Sequence, residues 1–166
     1  MLSSLRVYDY VNQPFARVAA AFSEDTPGIV QRATTVAGRR ASELDATLHA
    51  HVGPIDIAAD VSFEIGPLDA TPLPSGRPAL RIPITWHAIR TPRAFPVMQA
   101  ELTIYPLTAT ETQLELAGTY VPPLGALGRA IDSALLHRIA EASVLQFVQE
   151  VARFLREDMR DVKRTG

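Results

Sequence analysis

The chain has 166 residues, a formal net charge of -2 and no cysteine. One domain of this size buries roughly 70% of its unfolded surface and folds without disulfides or metal. The missing cysteines exclude disulfides, thiol catalysis and Cys-ligated zinc or iron–sulfur centres, and the charge gives no field that would favour nucleic acid or an anionic membrane. The opening "MLSSLRVYDYV" lacks the basic region and apolar run of a signal peptide. No apolar stretch approaches the ~20 residues of a membrane span. A reducing cytoplasm is the expected location.

"LRVYDYV" (Leu5–Val11) is rich in β-branched and aromatic residues, which predicts a strand. Pro14 suits a first helical turn, and Phe15, Val18, Ala19 and Phe22 recur at helical spacing, giving a short helix near 14–22. Thr26-Pro27 predicts a second helix start and Gly38 its stop. From residue 44 the period becomes two. Leu44, Ala46, Leu48, Ala50 and Val52 alternate with polar residues. After Gly53-Pro54, which marks a hairpin, Ile55 to Ile65 alternate in the same way. "GPLDATPLPSGRP" (66–78) is a proline-dense loop, readable as a lid or as a stiff connector. Leu80, Ile82, Ile84, Trp86 and Ala88 form the inner face of another strand, and Pro83 within it implies an edge position or a bulge. Met98 to Ile104 and Leu114 to Tyr120 give two more. Pro122-Pro123 end the last strand, Gly125 and Gly128 let the chain turn, and one long helix over about 125–158 follows.

Helices segregated from an antiparallel sheet indicate an α+β fold. The strand ending "LELAGTYVPPLGALG", the helix "RAIDSALLHRIAEASVLQFVQEVARFLRE" and the early "YVNQPFARVAAAFSED" resemble the START-like, helix-grip superfamily (SRPBCC). That group holds polyketide cyclase/dehydrase-like proteins, the birch-pollen allergen family and lipid-transfer domains. The resemblance covers essentially the whole chain as a single domain, 1–166. It implies a curved antiparallel sheet of about six to seven strands wrapped around the C-terminal helix, two short helices after strand 1, and an apolar cavity between sheet and long helix. It does not choose among carriage, cyclase chemistry and other roles.

The inward positions of the strands at 44–52, 55–65, 80–88, 98–104 and 114–120 carry no Asp, Glu, His, Lys or Arg. Their polar atoms are the Trp86 indole N–H and the Tyr120 hydroxyl. An apolar wall with few polar groups suits a hydrophobic ligand and also suits a plain core. His49 and His51 share a strand face, which permits a metal but lacks the ligands of a tetrahedral zinc site, and His87 is outward on its own strand. On the long helix, Leu124, Leu127, Ile131, Leu135, Ile139 and Ala142 share one stripe, and Val144, Phe147, Val148, Val151 and Leu155 share another. This predicts a bend near 140–145 or two different surroundings. "HRIAE" brings His137 and Arg138 within reach of Glu141, either as a solvated cluster or as the ionisable feature of the cavity.

The residues expected to line a ligand are therefore Phe63, Trp86, Met98, Leu116, Tyr120, Leu127, Ile131, Leu135, Arg138 and Glu141, with no catalytic residue assigned, no metal and no cofactor. The expected partner is an apolar small molecule such as a lipid, polyketide or quinone-like compound. No nucleic acid and no membrane span are expected, and homodimerisation stays open. The alternatives are a polyketide cyclase/dehydrase-type enzyme using the same cavity, and an interaction module whose cavity has collapsed.

Overall fold

The computed structural model describes residues 3–52, 61–88, 98–120 and 133–161, with side chains described within 3–37, 64–86, 98–120 and 137–157 except 139. The elements are β1 (Ser3–Val11), α1 (Phe15–Val52), β2 (Val61–Ile65), β3 (Leu80–Ala88), β4 (Met98–Pro106), β5 (Thr112–Tyr120) and α2 (Ser133–Asp161). The five strands form one antiparallel sheet in the order β1-β5-β4-β3-β2. A strand, a helical segment, a run of antiparallel strands and a long C-terminal helix is the element order of a helix-grip fold.

The described sheet has five strands rather than six or seven, and the difference lies in 44–52. That stretch continues α1. Leu44, Leu48 and Val52 alternate, but they are also four apart, so the same residues satisfy a helical stripe. Ala, Leu, Arg and Glu dominate "RRASELDATLHAHV" and β-branched residues are scarce, and that propensity decides between the two periods. His49 and His51 therefore sit on a helix, and the shared strand face expected of them does not exist. The side chains of His49, His51 and His87, and the expected hairpin at 53–54 with the strand start at 55–60, lie outside the described residues.

α1 is broken where two helices were expected. Asp25 leaves helical geometry (φ -149°, ψ 58°), and its carboxylate accepts the Gly28 N–H at 2.9 Å. Asp25, not Thr26, is thus the cap of the second segment. The Thr26 hydroxyl instead donates back to the Phe22 carbonyl. At the other end of the first segment, the Pro14 carbonyl accepts the Val18 N–H, as expected for a proline at a helix start. The second segment runs on past Gly38 to Val52, well beyond its expected stop.

Pro83 lies within an interior strand, yet only where its neighbour has ended. β2 pairs with β3 as far as Ile65 opposite Ile84. One residue further, the Pro83 carbonyl accepts the Gly66 N–H at 2.8 Å, and Asp69 and Arg81 exchange both main-chain bonds. The missing proline donor falls where no regular ladder is left to break. The same contacts settle the nature of the loop. Asp69 bonds Thr71, and the Arg81 guanidinium reaches the Thr71 and Pro72 carbonyls, so this segment is tied to the sheet as a connector.

The inner face of the sheet packs under α1 and α2. Val144, Phe147, Val148, Val151, Ala152 and Leu155 of α2 are buried, together with Val18, Phe22, Ile29, Val30 and Ala33 of α1. The apolar stripe expected for the second half of the long helix is the one that is buried. Arg32 of α1 lies 4.0 Å over the Phe154 ring, and Arg156 reaches the Tyr10 carbonyl at 2.7 Å and Asp9 at 3.3 Å. These contacts fix the C-terminal end of α2 beside the end of β1. The opposite end of α2 is left beside the start of β1 and the end of β5.

Candidate functional site

Antiparallel register places Phe63 opposite Trp86, Trp86 opposite Met98, and Met98 opposite Tyr120. Four of the expected lining residues, far apart in sequence, thus form a single row across the sheet. Trp86, Met98 and Tyr120 are buried, and the Trp86 ring meets the fully buried Phe147 of α2 edge to face, with centroids 5.6 Å apart. Such a pair is worth about 0.5–1.5 kcal/mol beyond its buried area. Leu116, also expected, is fully buried two rows away, opposite Val7 and Leu102.

The row between these two is different. It holds Gly118 opposite Ala100, and both remain partly open to solvent although Met98, Tyr120, Leu102 and Leu116 around them are buried. A Cβ built on Gly118 would lie 2.7 Å from the Ala100 Cβ and 2.7 Å from the Gln99 carbonyl oxygen. The strands therefore approach so closely here that one of the facing residues must be glycine. The small pair forms a low floor on the inner face, next to the aromatic row.

At the end of β5 the Tyr120 hydroxyl lies 2.8 Å from the His137 Nδ1, and the two rings stack at 23° with centroids 6.1 Å apart. Tyr120 is buried and His137 half-buried. His137 stands seven and fourteen residues before Val144 and Val151, so two near-integral pairs of turns carry it onto the buried stripe of α2. The hydrogen bond accounts for the buried Tyr120 hydroxyl, and an unpaired one would cost the desolvation of a buried polar group. Thr112, at the far end of β5, is the only other polar residue buried among those described. Its hydroxyl donates to the Gln13 carbonyl at 2.8 Å and fastens the β1–α1 connection.

The remaining expected residues fall elsewhere. Arg138 and Glu141 are exposed on α2, which is the solvated arrangement. Leu135 lies on α2, with its side chain outside the described residues, and so does the side chain of Phe63. Leu127 and Ile131 lie outside the described residues altogether, as do most side chains of the first stripe of the long helix, while the described backbone runs as one helix through 140–145. Sequence reasoning missed His137 as the partner of Tyr120, the Gly118–Ala100 floor, and Thr112.

The perturbed titrations lie away from this row. Tyr105 donates its hydroxyl to Glu115 at 3.0 Å, and burial together with that carboxylate pushes its pKa up. Hydrogen bonds from Thr71 hold the Asp69 carboxyl below its ordinary value. Among the described residues no group of three or more His, Asp or Glu is placed to hold a metal ion. No helix among them is long and apolar enough to cross a membrane.

Neither a protein-family model nor a curated protein matches the chain. Solved structures do. The chain is similar to the Zhui aromatase/cyclase from Streptomyces sp. R1128, with 15% identity, 100% of this chain and 99% of that one covered, and a TM-score of 0.49. It is similar to a conserved protein from Geobacillus kaustophilus at 12% identity over 93% and 96% of the two chains, with a TM-score of 0.49. A START superfamily protein from Mycobacterium smegmatis aligns at 12% identity over 93% and 97%, with a TM-score of 0.39. Likeness at this level concerns the order of elements, and no site residue is carried across from it.

Proposed function

We propose that the chain acts as one domain that binds an apolar small molecule between the sheet and the first half of α2. The observation that carries this reading is the low, partly open Gly118–Ala100 floor beside a buried aromatic row. An inner face built only to pack a core would fill that position, because interiors are close-packed. The wall around it is apolar, so desolvation supplies most of the affinity, and the Tyr120–His137 pair sets orientation. Leu127, Ile131 and Leu135 complete the reading as the opposite wall. A lipid, a polyketide or a quinone-like molecule fits this chemistry, and a cytoplasmic setting fits the absence of cysteine.

A second reading has one specific observation behind it. A histidine hydrogen-bonded to a tyrosine is a group that can move a proton, so the same site could serve a cyclase or dehydrase-type enzyme. Native mass spectrometry of protein purified from its own host, followed by organic extraction, tests the binding reading. An apolar molecule that co-purifies with the wild type and is lost from Ala100→Phe supports it, and its structure chooses the turnover assay for the enzyme reading. Wild-type protein that carries nothing and also fails to bind fatty acids, quinones and aromatic polyketides would point instead to an interaction module with a filled core.

A further inference from the structure

We propose that the site selects neutral ligands bearing a hydroxyl or carbonyl oxygen, and that Tyr120 and His137 recognise that oxygen as one unit. This deepens the binding reading above and rests on it.

The hydrogen bond between the two residues can be made in two ways. The tyrosine hydroxyl donates to an unprotonated Nδ1, or a protonated Nδ1 donates to the phenolic oxygen. In the first arrangement the pair retains Nε2–H as a donor and a phenolic lone pair as an acceptor. In the second it retains the tyrosine O–H as a donor and Nε2 as an acceptor. Both arrangements offer one donor and one acceptor. A carbonyl uses the donor and a hydroxyl can use both.

Among the described residues the surroundings disfavour an anion. Apart from Tyr120 itself and Thr112, every buried residue among those described is apolar, and the Thr112 hydroxyl is committed to Gln13 at the far end of β5. Arg138, the cation nearest to His137 in sequence, is exposed on α2. Among the described residues only the His137 imidazole could then pair with a carboxylate or phosphate beside Tyr120, and against a neutral imidazole the charge would be buried unpaired, which is the costly case. A neutral oxygen incurs no such penalty, and the pair replaces the hydrogen bonds it gives up. The position of the pair matches the role. Tyr120 is two residues along β5 from Gly118, so its side chain stands on the face that Gly118 leaves open, and Ala100 and Met98 flank the two on β4.

Three rigid probes of similar size separate the possibilities in titrations of the intact protein near neutral pH: naphthalene, 2-naphthol and 2-naphthoate. The expected order is 2-naphthol tightest, about 3- to 10-fold over naphthalene, the range of one net hydrogen bond, with 2-naphthoate weakest. Tyr120→Phe and His137→Leu should each abolish the preference for 2-naphthol over naphthalene. If 2-naphthoate binds as tightly as 2-naphthol, or if 2-naphthol and naphthalene bind alike, the inference is overturned while apolar binding stands. If no probe binds, the binding reading itself is lost and this inference with it. Thermal melts show whether the variants are folded, and the wild-type ranking decides the matter if they are not.

Discussion

Gly118→Ala tests the geometry on which the site depends. The added Cβ would lie 2.7 Å from the Ala100 Cβ, 2.7 Å from the Gln99 carbonyl oxygen and 3.0 Å from the Ala100 Cα. Carbon pairs prefer roughly 3.5–4.0 Å. Two of the three contacts are to backbone, so no rotamer change relieves them and β4 and β5 must part. Overpacking of this kind costs about 1–3 kcal/mol. Replacing glycine also removes freedom from the unfolded chain, which returns about 0.4–1 kcal/mol. The net loss should be about 1–2 kcal/mol, or about 2–8 °C in Tm for a chain of this length. Urea unfolding followed by the fluorescence of Trp86, the only tryptophan, measures it. Adding Ala100→Gly removes one of the three contacts and should recover only part of the loss. A Gly118→Ala protein as stable as the wild type would refute the close approach of the strands, and with it the low floor.

Three further outcomes follow from the packing. Phe147→Ala removes a fully buried ring that meets Trp86, so stability should fall by about 3–5 kcal/mol and Trp86 emission should shift to the red. Arg138→Ala and Glu141→Ala should each change stability by less than about 0.5 kcal/mol in the same urea assay, since both residues are exposed. A large loss from either would return the helix-surface cluster to the site. Tyr105 has a pKa raised by burial and by Glu115, so the protonated phenol is the form that the fold favours. Its contribution is complete below the unfolded value of about 10 and is lost as pH rises through the higher folded value. Alkaline loss of stability should therefore be shallower in Tyr105→Phe than in the wild type.

The sheet could be read from residue patterns because its strands are half-buried. Leu80 to Trp86, Met98 to Ile104 and Leu114 to Tyr120 alternate cleanly, and all three segments are strands in the expected places. Alternation failed at 44–52 because a period of two contains a period of four. Leu44, Leu48 and Val52 obey both, and only the alanine-rich filling between them tells helix from strand. The cap at Asp25 was missed for a different reason. Asp25 and Thr26 are both good cap residues, and the choice between them depends on where the backbone breaks, which neither residue determines alone.

The candidate site was half readable. Alternation alone puts Trp86, Met98 and Tyr120 on the inner face, and it identifies the Tyr120 hydroxyl as a polar atom that needs a partner. The partner cannot be found by the same rule. It stands on another element, seventeen residues away, and its direction depends on how α2 is docked. A helical rule was available but does not decide. Val144 and Val151 lead back by sevens to His137, but Val148 and Leu155 lead back in the same way to Glu141 and Ala152 to Arg138, so spacing alone does not choose among His137, Arg138 and Glu141. Local charge pairing drew attention to the latter two, since i,i+3 and i,i+4 neighbours are easy to see, but such pairs most often lie in solvent. A buried hydroxyl should instead be matched with the polar residue on the facing helix that is itself withdrawn from solvent. Here that residue is His137, and the bond between the two elements joins the end of β5 to α2 at the level of the Gly118–Ala100 floor.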